Sequence, residues 1–349
     1  MHPRPAPLRR ALGGCPRAIT LVAAVFASVL STSPALAAEK LQKLTLSGPF
    51  AAVSFPLIHM VDSGALKDVA ETVEFVPWKD PDQLRVLAMD GKANVDFIAM
   101  PSNVAANLYN RGVKLQLVNV STWGVLWMVS RDANLKTLAD FKDKEVVMPF
   151  RADMPDIVFQ VIAEKAGLDP KRDFKLRYVG SPLDAMQLLI MRRADHALLS
   201  EPAVSMALRK TKSFPVNVIA PDLHRSVNLQ REWGRLLQRP ARIPQAGIAA
   251  MGQALADPAL VERFQKAYAV SLKWCEAKPD ECGAMVAKRV EMLSAEGVAD
   301  SVRVDNTEFV TAQDAKPELE FFFGQLHARQ PALVGGKLPD AGFYYAPKK

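Results

Sequence analysis

The chain has 349 residues, 49% of them apolar, with 44 basic against 37 acidic side chains and a formal charge of +7. That is more chain than one hydrophobic core usually serves, so two lobes are expected. Arg4, Arg9, Arg10 and Arg17 lie in the first 37 residues with no acid among them; without that segment the charge is 40 minus 37, or +3, and a near-balanced remainder argues against nucleic acid or an anionic membrane as partner, both of which demand clustered basic charge.

The first residues have the order of a secretory signal peptide: a basic start, an apolar run over residues 19–30, then Ala35-Leu36-Ala37, small side chains where signal peptidase cuts. The run is shorter than the roughly 20 residues that span a bilayer. Cleavage is expected after Ala37, with export to the periplasm. Leu12-Gly13-Gly14-Cys15 has the look of a lipoprotein box, but it precedes the apolar run, so Cys15 should leave with the leader. Arg9-Arg10 leaves a twin-arginine route open beside the general one.

Residues 41–48 read as a strand ending at Gly48, followed by a loop and a helix over 56–66. A strand over 73–78, a helix over 81–90 and a strand over 95–100 follow, the last running into Pro101-Ser102-Asn103 and a further helix. Residues 115–118 form another apolar strand. Strands alternating with helices at this pitch predict a parallel sheet covered on both faces, and strands without polar alternation fit burial on both sides.

After a strand over 125–130, residues 135–144 read as a connector helix and a second α/β series begins. It has strands at 145–149, 175–179 and 197–200, helices at 155–166 and 182–191, then Glu201-Pro202 opening another helix, with 216–219 as that lobe's last strand. Residues 243–251 suit a strand rejoining the first lobe. From 258 the pattern is helical to about 330, ahead of a Gly/Pro-rich tail over 335–345. No repeat of 20 to 50 residues recurs, which argues against a solenoid or propeller. The expected division is a leader over 1–37, first lobe 38–124, second lobe with its crossings 125–242, and a return to the first lobe with C-terminal helices over 243–349.

Cys275 and Cys282 remain in the exported chain. On one unbroken helix their Cα atoms would stand roughly 10 Å apart, too far for a bridge. Pro279 lies between them, and a corner there brings them together. A disulfide is the expectation in an oxidising compartment, with two unrelated thiols as the alternative; no histidine stands near, so no metal site is expected.

Several stretches in this order resemble the nitrate/sulfonate/taurine class of ABC-transporter solute-binding proteins, related in fold to the thiamine-pyrimidine synthase family. They are Val95-Asp96-Phe97-Ile98-Ala99-Met100-Pro101-Ser102, Leu138-Ala139-Asp140-Phe141-Lys142-Asp143-Lys144, Ala194-Asp195 leading to Glu201-Pro202, and Trp274 followed by Lys278-Pro279-Asp280-Glu281. The class has Gly-Lys where Asp143-Lys144 stands. The resemblance implies an α/β chain with the type II two-lobed periplasmic-binding-protein fold, parallel-dominated sheets, a hinge and a helical C-terminal region. It implies a monomer that closes on a small polar organic solute, sulfonate-, carboxylate- or pyrimidine-like, and passes it to an inner-membrane permease driven by an ATPase, with no cofactor and no catalysis.

Ligands of parallel sheets bind beyond the strands' carboxyl ends, where helix N-termini present free N–H groups. Candidate contacts in the first lobe are Ser54 at a helix start, Trp78 at a strand end, Ser102 and Asn103 after Pro101, and Trp123 near the first crossing. In the second lobe they are Arg151, Asp153 and Met154 at a strand-to-helix turn and Glu201 at another; Gln245 lies on the return crossing. Arg151 suits an anion. Asp153 and Glu201 in one cleft disfavour a simple anion and suit a solute carrying a donor or positive group.

A sensor subunit that signals to a membrane receptor would leave the same sequence. An enzyme on the same fold is the rival from another class, yet His59, His196, His224 and His327 have no sequence partner that fixes a role, and no nucleophile elbow, phosphate loop, His-Glu-x-x-His or Cys-x-x-Cys is present.

Overall fold

Strand direction in this fold follows from where each strand begins. The structure, a computed structural model, describes residues 40–89, 94–219, 223–304 and 307–347; the expected leader with Cys15, and Asp90 at the expected end of a helix, lie outside them. The first sheet takes β1 (Leu41–Gly48), β2 (Ala70–Pro77), β3 (Phe97–Pro101) and β4 (Gln116–Thr122), with α1 (Phe55–Ser63), α2 (Pro81–Met89) and α3 (Ser102–Asn110) between them. The chain then crosses once. The second sheet takes β5 (Leu126–Ser130), β6 (Glu145–Pro149), β7 (Lys175–Val179), β8 (His196–Ser200) and β9 (His224–Asn228), with α4 (Met154–Lys165), α5 (Pro182–Ile190), α6 (Ala203–Lys212) and α7 (Val216–Ile219). After α8 (Leu229–Leu237) the chain returns as β10 (Ala246–Ala250), followed by α9 (Pro258–Ala277), α10 (Pro279–Arg289), α11 (Ala295–Val304), β11 (Thr307–Thr311) and α12 (Ala312–Arg329).

The sheet orders are β11-β4-β10-β3-β1-β2 and β7-β6-β8-β5-β9. Most strands run with their carboxyl ends toward the other sheet. Among the described strands, β5, β10 and β11 run the other way and pair antiparallel with their neighbours. Each of the three starts at the junction of the lobes, so it must run outward: β5 follows the first crossing, β10 the return, and β11 the helix before it. The two crossings lie side by side, with Gln245 N–H donating to Thr122 O at 3.0 Å. Gly124 between them has φ of +100°, and a Cβ there would come within 2.9 Å of Gln230, so a turn this tight favours glycine.

Helix starts are set by local chemistry. Asp153 caps α4, Ser181 caps α5 and Asp257 caps α9, each followed by proline in the first turn, where its missing N–H is not needed. Packing then joins the lobes. One core cluster runs from Ile98 and Met100 of the first sheet to Val146 and Met148 of the second and includes Phe322 and Phe323 of α12. On the other face of the first sheet Phe97 stacks on Phe264 of α9, ring centres 3.8 Å apart. Each such fully buried ring contributes about 1.5–3 kcal/mol.

Three elements differ from the sequence expectation. Residues 216–219 form the short helix α7, not a strand: Pro215 presets a helical first turn, and Asn217 N–H bonds to Ser213 O at 3.0 Å. The last strand of the second sheet is β9, an edge strand whose His-Arg-Ser-Val-Asn sequence buries only Val227. Residues 135–144 contain only a 3-10 turn, Leu138–Phe141, with a Thr137/Asp140 capping box. The turn stops because Lys142 is extended and Asp143 takes φ of +65°. The C-terminal helical stretch is broken by β11, whose Thr307, Val310 and Thr311 pair with β4, as β-branched side chains favour. Cys275 and Cys282 are joined by a disulfide across the α9–α10 corner, Cα atoms 5.1 Å apart.

Candidate functional site

The carboxyl ends of both sheets meet around a cavity of about 430 Å³. The first lobe contributes the loop after β1 (Phe50, Val53), Trp78 after β2, Met100 and Pro101 at the end of β3, and Thr122 at the end of β4. The second contributes Phe150 and Asp153 after β6, Ser181 after β7, Ser200 at the end of β8 and Glu201 after it; Met292, between α10 and α11, closes one side. Gly48 ends β1 because a Cβ would stand 2.3 Å from Ser54 Oγ. Phe150 and Ala152 hold positive φ, a left-handed conformation costly to non-glycine residues.

Six prolines line the cavity, Pro49, Pro81, Pro101, Pro155, Pro182 and Pro202, and each removes an N–H that an anion could have used. The helix starts facing the cavity are largely occupied by the protein's own side chains. Asp80 Oδ1 accepts from the N–H groups of Asp82 and Gln83 at 3.0 and 2.8 Å. Asp153 Oδ1 accepts from Met154 N–H at 2.9 Å, Ser181 Oγ from Asp184 N–H at 3.2 Å, and Glu201 Oε2 from Ser205 N–H at 3.0 Å.

Both inner carboxylates are also paired with arginine. Asp153 Oδ2 lies 2.5 Å from Arg85 Nη2 of α2, an ion pair between the lobes. Burial pushes the Asp153 carboxyl above its ordinary range, with the Arg85 charge and the Met154 N–H pulling against it. Glu201 Oε1 lies 2.6 Å from Arg225 Nη2, which also donates to Ser205 Oγ at 2.8 Å. Near the crossings, Gln245 Oε1 accepts from Val125 N–H at 3.2 Å, and Thr122 Oγ1 is buried with no partner.

Residues 67–269 match the family described as ABC transporter, phosphonate, periplasmic substrate-binding protein. The chain belongs to this family. No curated protein matches it. Among solved structures, this substrate-binding protein is similar to an ABC transporter protein from Parabacteroides distasonis, at 21% identity over 88% of this chain and 100% of that one, TM-score 0.71. It is also similar to the periplasmic aliphatic sulphonate binding protein SsuA from Escherichia coli, at 16% identity over 88% and 93% of the two chains, TM-score 0.65. The periplasmic nitrate-binding protein NrtA from Synechocystis PCC 6803 matches at 15% identity over 86% and 83%, TM-score 0.63. At these identities the likeness is one of fold: the two-lobed periplasmic-binding-protein architecture.

Of the residues singled out in the sequence, the substrate-binding protein places Trp78, Asp153, Met154, Glu201 and Gln245 on the cavity wall. Trp78 presents its ring there while its Nε1–H donates to Ala99 O at 3.0 Å. The others are directed elsewhere. Ser54 is buried against Gly48. Ser102 ties α3 to the return crossing, its N–H donating to Gln245 O and its hydroxyl to Pro244 O. Asn103 is buried off the wall. Trp123 packs at the crossings, its Nε1–H on Glu308 O at 2.9 Å and the Arg242 guanidinium 3.9 Å from its ring. Arg151 is exposed, its guanidinium 5.3 Å from the Tyr178 ring, because the left-handed turn at Ala152 aims Asp153, not Arg151, at the helix start. Sequence reasoning missed Thr122, Phe150, Arg85 and Met292. Thr122 stood beside Trp123, a larger side chain that drew the assignment; Met292 reaches the wall only through the packing of α10 and α11.

Proposed function

We propose that this chain is the exported solute-binding subunit of an ABC importer, acting as a monomer in the periplasm and delivering a small organic solute to an inner-membrane permease. The observation that supports it most is the cavity itself, walled by strand ends of both lobes and bridged by Arg85 and Asp153. Such a site is completed only when the lobes come together, so the solute stabilises the closed arrangement by its differential affinity. Trp78, Met154 and Gln245 are the proposed contacts, with Asp153 and Glu201 shaping the wall through their arginine partners. The family's description names phosphonate and the structural relatives' names sulphonate and nitrate. A sulfonate-, carboxylate- or pyrimidine-like solute with an apolar body fits the largely apolar wall better than a bare inorganic anion.

Native mass spectrometry of protein taken from its source should show a co-purifying small molecule. Adding it back to stripped protein at 100 times its Kd should stabilise the fold by about 2.7 kcal/mol. Chemical conversion of that molecule by the purified protein would overturn the transport reading, and unchanged stability on adding it would overturn its role as solute.

A further inference from the structure

We infer that the α10–α11 hairpin is a latch for the closed cleft: fixed to the first lobe, it grips α6 of the second through Met206 and the Arg209–Asp300 pair, and this grip favours closure from outside the cavity wall. The inference takes the cleft as the solute site and adds two positioning residues to it, Arg209 and Asp300.

The hairpin is held hard at one end. Cys282 of α10 is bonded to Cys275 of α9, and Cys282, Val286, Val290 and Leu293 are buried with Ala52, Phe55 and Ile58 of the first lobe. Arg289 of α10 also pairs with Asp62 of α1. A Cβ on Gly283 of α10 would overlap Ala295 O, so the two helices meet backbone to backbone, and Arg303 of α11 reaches Asp280 of α10 at 2.6 Å. The hairpin therefore moves as one piece. Buried apolar surface and a covalent link tie it to the first lobe.

The other end lies on the second lobe and is held more lightly. Arg209 Nε and Nη2 donate to Asp300 Oδ2 and Oδ1 at 2.7 and 3.0 Å, the two-bond geometry in which guanidinium and carboxylate fit best. That guanidinium holds the Asp300 carboxyl below its ordinary range. Nearer the start of α6, Met206 lies against Gly297 of α11, where a Cβ would overlap the Met206 side chain and stand 3.3 Å from its Cα. Met206 and Leu183 are half-buried and pack both against the second-lobe cluster of Leu199 and Ala203 and against the cluster of the hairpin. The ion-pair side chains are 45% and 33% exposed, so water can replace this contact at small cost. When the lobes part, they part here, and the hairpin stays with the first.

Latch and cavity share elements. Glu201, Pro202 and Ala203 at the opening of α6 line the wall, and the corner of the hairpin puts Met292 on the same wall. Closing the lobes on a solute thus makes the α6–α11 contact, which adds its free energy to the closed state whatever the solute is.

Small-angle X-ray scattering on the full exported chain, stripped of co-purifying molecules, reads the latch with no solute present. Arg209→Asp and Asp300→Arg each set like charges against one another and should enlarge the radius of gyration, moving the open-to-closed ratio about threefold to tenfold toward open. The combined variant Arg209→Asp/Asp300→Arg restores the pair with its ends exchanged and should return the radius to the wild-type value. Single reversals that leave the radius unchanged overturn the inference. So does a double variant as expanded as either single one, since the reversals then act by loosening the fold and not through the pair. Either result leaves the cleft reading in place, because that reading stands or falls on the co-purifying molecule.

Discussion

The two walls of the cleft are built on different principles. On the second lobe three polar wall groups are tied to their own backbone or to an arginine: Asp153 to Met154 N–H and Arg85, Ser181 to Asp184 N–H, Glu201 to Ser205 N–H and Arg225. On the first lobe the wall is mostly apolar, and the Trp78 N–H is directed inward to Ala99 O. The second-lobe wall is thus a preorganised cover, its polar groups already paired, set against a mainly apolar first-lobe wall. A wall whose polar groups satisfy one another costs little to close over a solute.

The largest test of this contrast removes an anchor of the cover. Glu201→Ala strands Arg225, 26% exposed, beside Trp127 and Ser205, and breaking such a pair should cost about 2–4 kcal/mol, read as a lower urea midpoint. The second test concerns the bridge between the walls. The Arg85 side chain is 41% exposed, so Arg85→Gln should cost only about 0.5–1 kcal/mol at pH 7. It leaves Asp153 buried, and burial already raises that carboxyl. A raised acid favours the fold below its unfolded value and loses that advantage as pH rises through its folded value. The Arg85→Gln deficit should therefore shrink between pH 7 and pH 4.5; a deficit that grows as pH falls would break the account.

The smallest effect lies away from both walls. Burial lowers the imidazoles of His59, stacked on Trp274, and of His196, edge-on to Phe141. A depressed histidine contributes stability that is present above its ordinary value near 6.5 and is lost as pH falls through the folded value. Wild-type stability should decline below about pH 6.5, and His59→Gln should flatten part of that slope in urea titrations across pH 5 to 7.

Much of the architecture could be read from particular residues. The apolar strands 95–100 and 145–149 and the helix openings at Pro101, Pro155 and Pro182 announced alternating units, because strand burial and proline placement are local rules. Pro279 announced the corner that brings Cys275 and Cys282 together. Readings failed where local rules gave two answers. Val-Asn-Val-Ile at 216–219 has strand composition but follows a proline that starts a helix, and β9 is polar because only one of its residues is buried. At the site, strand-to-helix turns singled out Asp153, Met154 and Glu201, which line the cavity, since such turns lie at strand ends in any parallel sheet. They could not show that Arg85 and Arg225 neutralise the two acids.

The sequence by itself determined the alternation of strands and helices, the crossing and return that make two lobes, and the strand ends where a site must lie. Each depends on periodicity, proline and burial within a few residues. Only the tertiary structure decided the charge and chemistry of the cleft. Arg85 meets Asp153 across 68 residues and Arg225 meets Glu201 across 24, and Met292 reaches the wall from a helix corner near the C-terminus. Whether a carboxylate attracts a cation or is already neutralised depends on what stands within a few ångströms of it, and that proximity is set by how the lobes pack.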